Sequence, residues 1–397
     1  MQFARRALNV VRSLRSYREL PAVAKAERNR DRRGLPSHDP GTQAVIKEGI
    51  AWIGRAQDHS ASADGGVARD YSLIHGWSAS YPETTGYIIP TMLSYANARD
   101  DDSVRERAKR MLDWLIPIQF PEGGFQGGVI GASPIRPVTF NTGQVLIGLA
   151  RAVRDFGQPY RESMRLAAEW LVDTQDRDGC WRRHPSPFAE PGEKVYETHV
   201  AWGLLEAARV DQNSRYADAA LANVKWALGL QAPNGWFTNC CLSDPLRPLS
   251  HTLGYALRGI LEAYLFTEDK TLLEACSKTA DGLLTAVSRD GFLPGRLDAQ
   301  WRGTVRWACL TGSAQIAYCW LMLFKHTGRT DYLNAAYVVS RYVRRATKVD
   351  GPPETRGAVK GAFPVSGEYC AYEYPNWACK FSLDLNLLEE EVKEVTG

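Results

Sequence analysis

Apolar positions recur along this chain at helical spacing, and two kinds of segment alternate. In the first kind one face is apolar and the other charged. Over 159–175, Tyr160, Met164, Ala167 and Leu171 fall at i, i+4, i+7 and i+11 with charges between them. The same pattern predicts amphipathic helices over 43–57 (Ile46, Ile50, Ile53), 102–119, 214–231, 270–287 and 330–347. The second kind is apolar nearly all round, as in Val200, Ala201, Trp202, Leu204, Leu205 and Ala207. It predicts helices over 84–97, 140–155, 196–210, 250–266, 311–326 and 376–390. A helix without a polar face has to be covered on every side. Six one-faced and six buried helices in strict alternation are satisfied by two concentric rings. The predicted fold is therefore all-α, an (α/α)6 toroid over residues 41–397, preceded by an extension over 1–40. An open α-solenoid is the rival, but it does not need its second helices so evenly buried.

A repeated turn punctuates the helices. Gln175-Asp176-Arg177-Asp178-Gly179-Cys180-Trp181 closes an amphipathic segment, Gln119 precedes Gly123 and Phe125, and Gln231 precedes Gly235 and Trp236. Gly291-Phe292 and Gly351 follow without the Gln. Gly123, Gly179, Gly235, Gly291 and Gly351 lie 56, 56, 56 and 60 residues apart, a period that fixes architecture before any local detail. This Gln-x-x-x-Gly-x-Trp/Phe turn, with the alternating helices, resembles the six-hairpin toroid superfamilies. These are the six-hairpin glycosidases, heparinase-type polysaccharide lyases and glucuronyl C5-epimerases and, more distantly, the terpenoid cyclases and prenyltransferases. The resemblance spans about residues 43–390. It implies the fold, and it leaves the reaction open because one fold hosts many chemistries.

Composition narrows the setting. A 44% hydrophobic fraction and twelve Trp suffice for a large core, and no apolar run is long enough to cross a bilayer. The eight Cys include no CxxC pair, and Cys276, Cys319 and Cys379 sit in apolar helical stretches. Reduced cysteines and a cytoplasmic protein are expected. The net charge of +3 hides an asymmetry: residues 1–40 carry ten Lys/Arg against four Asp/Glu. That segment reads first as a flexible or strut-like basic extension. Because Phe3, Leu8, Val11 and Leu14 can share a helical face apart from Arg5, Arg12 and Arg15, the sharper alternative is peripheral contact through residues 1–35 with an anionic membrane surface, on the inner face of the membrane. No basic pattern runs through the body, so nucleic acid is not expected as a partner.

Chemistry is expected at one end of the ring. Connections from buried to amphipathic segments are short (98–101, 155–159, 211–214, 267–269, 327–329), whereas those in the other direction are long and carry most of the unusual residues. The candidate acids and bases are Tyr81, Glu83, Glu197, His199, His251, Tyr369 and Tyr374. The candidate substrate-binding residues are Asp70, Trp77, Arg136, His184, Asn239, Arg296, Trp301, Arg306, Trp307, Glu368, Tyr372 and Asn376. Polar residues mark the starts of the buried helices: Glu83-Thr84-Thr85, Asn141-Thr142, Glu197-Thr198-His199, Ser250-His251-Thr252, Thr311-Gly312 and Asn376-Trp377. Capping explains the Thr, Ser and Asn but not His199, His251, Glu197 or Glu83. Trp181 and Trp236 are expected to pack the repeated turn, while Trp77, Trp301 and Trp307, without repeat counterparts, are candidates for stacking on a sugar.

Three chemistries fit such a ring. Proton abstraction beside a carboxylate, as in uronate epimerisation or β-elimination, needs an acid–base pair supplied by Tyr or His. It also needs an arginine fork on the carboxylate, here Arg136, Arg182, Arg296 or Arg306. The Tyr-rich stretch Glu368 to Asn376 is similar to the helix start of glucuronyl C5-epimerases. Glycoside hydrolysis needs a carboxylate pair, with Asp70, Glu83, Glu197 and Glu368 as candidates. Terpenoid cyclisation lacks its acidic signature, since Asp100-Asp101-Asp102 falls at the short-loop end and reads as a helix cap. No phosphate loop, HExxH, GxSxG or zinc-ligand set is present, and no cofactor or metal is expected. The expectation is an enzyme acting on an oligo- or polysaccharide, an anionic one, in surface-polysaccharide assembly. A glycoside hydrolase and a non-catalytic glycan-binding scaffold are the alternatives.

Overall fold

The computed structural model describes residues 17–396. The amphipathic pattern from Phe3 to Arg15 lies outside the described residues. Among the described residues, helix α1 (Ala22–Asp31) precedes twelve that alternate as predicted. The amphipathic ones are α2 (Thr42–Asp58), α4 (Asp102–Leu115), α6 (Arg161–Thr174), α8 (Ser214–Leu228), α10 (Lys270–Thr285) and α12 (Thr330–Ala346). The buried ones are α3 (Pro82–Arg99), α5 (Thr139–Phe156), α7 (Thr198–Asp211), α9 (Ser250–Thr267), α11 (Leu310–Thr327) and α13 (Asn376–Thr396). Each buried helix packs on the next, α3 through α13, and α13 returns to α3. The inner ring is therefore closed, and α2 through α12 surround it. The solenoid alternative is excluded, because α2 packs on α13, more than 300 residues away in the chain.

The repeated turn is a clasp between hairpins. Gln175 Nε2 donates to Gly179 O (3.0 Å) and to Ala219 O (2.9 Å) on α8. Gln119 does the same with Gly123 O and Ser163 O on α6. Gln231 reaches Ala275 O on α10. The glycine needs no side chain for two reasons. Gly179 has φ +92°, and a Cβ there would collide with the Ala222 carbonyl on α8. Gly123, Gly235 and Gly291 repeat both features against α6, α10 and α12.

The last hairpin departs from the predicted period. Gly351 has φ +86° but open space around it. Gly357 (φ +82°) is the glycine that packs against the Glu48 carbonyl of α2 and closes the ring. The first clasp was also hidden by spacing: Gln57 donates to Gly65 O and to Arg107 O on α4, eight residues separating Gln and Gly instead of four.

Five short strands tie the long loops together. β1 (Asp70–Ser72) lies antiparallel between β2 (Gly76–Trp77) and β5 (Glu373–Pro375), with Tyr71 opposite Trp77 and Tyr374, while β3 (Ala308–Cys309) pairs with β4 (Ala362–Phe363). Joining β1 to β5 fastens the first long loop to the last. Part of the predicted extension is not a free tail. Helix α1 docks on the body through Asp31, which takes Lys360 Nζ (2.5 Å) and the Val365 amide (2.7 Å), and through Glu27, which pairs with Lys348 and Lys360. Among the described residues no helix is long and apolar enough to cross a membrane.

Candidate active site

The long loops gather where the inner helices begin. At that end the bore holds a cavity of about 190 Å³. Its wall is formed by Arg69 of the first long loop, Tyr81, Glu83 and Tyr87 at the head of α3, and Phe140 on α5. Ser186, Phe188 and Tyr196 precede α7, and Leu242 precedes α9. His251, Thr252 and Tyr255 come from α9, Tyr369 and Cys370 from the last long loop, and Trp377 from α13. The volume falls below the roughly 300–1,000 Å³ of drug-sized ligand pockets and suits one ring of sugar size.

The inner helices start without the side-chain caps expected from their Thr, Ser and Asn. For α3, α5, α7, α9 and α11 no cap bond forms. Their threonines hold loops and neighbouring helices instead. Thr85 and Thr142 Oγ1 accept from the Val67 and Phe125 amides, and Thr252 Oγ1 donates to Cys240 O (2.7 Å). Thr198 Oγ1 donates to Ala256 O on α9. Side-chain caps form at the short-loop end, where Asp101 accepts from the Val104 amide, as predicted.

Burial sets the protonation of the cavity wall. Glu83 is desolvated and its carboxyl is pushed up to about 8 in spite of the nearby Arg69 charge. His251 is depressed to about 4 by burial, with its bond to Gln315 opposing the shift. Its Nδ1 meets Gln315 Oε1 at 2.7 Å. A carbonyl oxygen only accepts, so Nδ1 carries the proton and Nε2 keeps its lone pair. Burial raises Tyr81, Tyr87, Tyr196, Tyr255 and Tyr369 above the usual phenol range, leaving all five as donors.

Arg69 is the one cationic side chain in this wall among the described residues. Asp70 pairs with its Nη1, Glu373 lies 3.5 Å away, and the guanidinium sits 5.4 Å over the Trp377 ring. Its backbone is fixed too, since Arg69 O accepts from the Asn376 amide at 3.0 Å.

Of the residues singled out in the sequence, Tyr81, Glu83, His251 and Tyr369 meet in the cavity wall. His199 lies just outside the lining, fully buried. Its Nδ1 is held by Gln144 Oε1 (2.6 Å), and its ring packs 4.5 Å from Tyr255, which is 4.4 Å from His251. Burial lowers His199 far below the usual imidazole range. Glu197 is buried outside the lining and raised by desolvation. Asp70 stands behind Arg69, with burial lifting it to about 6. Asn376 spends its amide on Ala68 O and Thr84 Oγ1, locking α13 to the first loop. Tyr374 is buried in β5, opposite Tyr71.

The remaining candidates do not join them. Trp77 packs on Trp52 and Tyr71. Trp301, with φ +61°, bonds Asn234 O and packs on Trp236, and Trp307 sits in a small cluster with Leu249, Cys309 and Ala362. His184 rests on Trp170, Asn239 reaches Glu193, and Tyr372 serves through its backbone in the loop. Arg136 and Arg306 are exposed. Arg182 is occupied by Asp176, Asp178 and Glu193. Arg296 binds Arg247 O and the exposed Glu368.

Sequence reasoning passed over Arg69, Tyr196 and Tyr255. The two tyrosines looked like ordinary apolar filling of buried helices, and Arg69 looked like a loop residue beside the more conspicuous Asp70. One signal was present in the sequence: Tyr255 stands four residues after His251, on the same helix face.

No protein-family model matches the sequence, and no curated protein matches it. Solved structures do. An unsaturated glucuronyl hydrolase specific for heparin superposes with a TM-score of 0.72 at 16% identity, over 90% of this chain and 99% of the other. A D-mannose isomerase gives 0.71 at 12% identity, over 90% and 100%. A cellobiose 2-epimerase from Bacillus thermoamylovorans B4167 gives 0.69 at 12%, over 88% and 97%. At such identities the likeness speaks for the fold, and the chain has the six-hairpin (α/α)6 toroid architecture shared by these structures.

Proposed function

We propose that this protein is a carbohydrate-active enzyme that moves a proton at a sugar carbon next to a carboxylate, giving uronate-type epimerisation or β-elimination. The observation that carries this reading is the placement of His251 and Glu83. They stand on α9 and α3, the fourth and first of the six inner helices, and so on opposite sides of the bore. Near neutral pH the first offers a lone pair on Nε2 and the second a proton. A base on one face of a sugar ring and an acid on the other is what inversion at one carbon, or removal of a proton and a leaving group, requires. Arg69 can take the substrate carboxylate through the N–H groups that Asp70 leaves uncommitted. Trp377 and Phe140 supply faces for the apolar side of the ring.

Hydrolysis by a carboxylate pair is less well supported, because Glu83 is the single carboxyl group in the wall among the described residues. The structural neighbours, a hydrolase, an isomerase and an epimerase, favour sugar chemistry without choosing among these reactions. Incubation of uronate-containing glycans with the protein in deuterated water, read by NMR and mass spectrometry, tests the reading. Deuterium at a ring carbon, or new unsaturated ends, is expected, and both should vanish in His251→Ala and Glu83→Gln. New reducing ends alone would replace it with hydrolysis. Unaltered glycan that still binds after both substitutions would make the protein a binding scaffold. Contact with an anionic membrane is part of the same proposal, supported by exposed Arg30, Arg32 and Arg33 beside exposed Val23 on and after α1. Vesicle flotation unchanged by replacing the three arginines with Ser would remove that part.

A further inference from the structure

The ring has a second opening. At the short-loop end a cavity of about 650 Å³ lies on the axis, with all six inner helices contributing to its wall, a volume within the roughly 300–1,000 Å³ of ligand sites. Tyr87 lines both cavities and forms the partition, with its ring against Phe381 at 5.5 Å and Lys380 Nζ 5.2 Å from its centroid.

The floor of this lower cavity carries two ion pairs. Lys380 Nζ, on α13, meets Asp384 Oδ2 at 2.6 Å, and Lys380 is 3% exposed. On α9, Arg258 Nε and Nη2 both reach Glu262 Oε1, at 2.7 and 2.6 Å. The Arg258 guanidinium is also sandwiched 4.3 Å from the rings of Trp202 and of Tyr318. Neither pair is saturated. The ammonium has three donors against one carboxylate, whose Oδ1 also takes Thr91 Oγ1 at 2.6 Å, and Glu262 meets Arg258 through Oε1 alone. Ions held this deep keep a desolvation cost that one partner does not cancel, and further hydrogen bonds relieve it.

Charge weighs against an anion. Arg258 and Lys380 are neutralised by Glu262 and Asp384, the rim arginines Arg99, Arg151 and Arg154 are paired with Glu390, Asp155 and Glu206, Glu391 and Glu394 add further negative charge, and six helix C-termini point here. What each pair offers is a donor beside an acceptor. That is the complement of two adjacent hydroxyls, each of which donates and accepts. We infer that the lower cavity is a binding site for an uncharged saccharide, whose vicinal diols lie across Lys380–Asp384 and Arg258–Glu262.

The two cavities each contain one tryptophan reporter, Trp202 below and Trp377 above. In full-length protein labelled with 5-fluorotryptophan, Trp202→Phe and Trp377→Phe assign the two fluorine resonances. D-glucose is expected to move the Trp202 resonance saturably, and D-glucuronate at equal concentration is expected to leave it in place. Glu262→Gln and Lys380→Met should each raise the half-saturating concentration about tenfold, the worth of one hydrogen bond to a charged group. An unshifted Trp377 resonance in the free variants reports an intact ring. His251→Ala should leave the Trp202 response unchanged, so failure of the proposed proton chemistry would not erase this one. A Trp202 resonance unmoved by glucose, moved equally by glucuronate, or still responsive in both variants overturns the inference.

Discussion

Glu83→Gln separates the electrostatic account of the upper cavity from any other. Glu83 titrates near 4.5 when unfolded and near 8 in the folded protein, because burial disfavours its charged form. Below about pH 4.5 both states are protonated and the carboxyl costs nothing. As pH rises from there, the unfolded chain releases a proton that the folded one retains, and folding is penalised until about pH 8, above which the penalty is constant. At about 1.36 kcal/mol per pH unit the full gap is about 5 kcal/mol. Because the side chain keeps contact with cavity solvent, about 2–3 kcal/mol is expected. Gln has the same shape and does not titrate. Urea unfolding of both proteins at about pH 4.5 and about pH 8 should show the advantage of Glu83→Gln growing by that amount. An advantage that stays flat across this range would mean that Glu83 is solvated and ordinary, and the argument for it as a neutral-pH acid would fall with it. If the carboxyl is the acid, catalysis by the unaltered protein declines above about pH 8.

Other positions give independent checks. His251→Ala should lower deuterium exchange into substrate about 10²–10⁴-fold. Gln315→Leu should cost less but carry the acidic limb of the pH profile below about 4, since the Gln bond raises the imidazole. Gly357→Ala should cost at least about 3 kcal/mol in chemical denaturation, because it adds a backbone collision with Glu48 to left-handed strain, against about 1 kcal/mol for Gly351→Ala, which meets open space. Equal costs would refute the assignment of Gly357 as the ring-closing glycine. Lys360→Met should cost about 3–5 kcal/mol by the same measurement, because it strips a partner from both Glu27 and Asp31 at the docked α1.

The fold was legible because helix periodicity is local. The all-round apolar run of Val200 to Ala207 could only be an inner helix, and its alternation with segments such as 159–175 left few arrangements. Features that depend on distant partners were not legible. Gly351 kept the spacing of the repeat, but Gly357 had the neighbour, and that neighbour is Glu48 of α2. Helix α1 was concealed by its charge, since Glu27 and Asp31 find their lysines more than 300 residues on. In the site, His251 and Glu83 stood out as ionisable groups that capping could not explain. Trp301 looked like a sugar platform because it lacked a repeat counterpart, yet it fills the space over Gly282. Arg136, Arg296 and Arg306 had the right charge. Which arginine faces the bore is decided by Asn376 holding the Arg69 backbone from the other end of the chain.

The seam between α13 and α2 bears on how the chain is made. In a linear array of repeats, any hairpin can settle on the one before it as synthesis proceeds. Here α2 leaves the ribosome before the other eleven ring helices but has its inner partner in the last of them. Trp52 waits for Glu354 O, Asp39 for Arg344, and the Arg69 carbonyl for Asn376. Until the final hairpin is complete, the apolar faces of the first and the newest hairpins both stay open to water. A nascent chain of this architecture therefore carries two sticky edges through most of translation, and a stop codon before α13 would make both of them permanent.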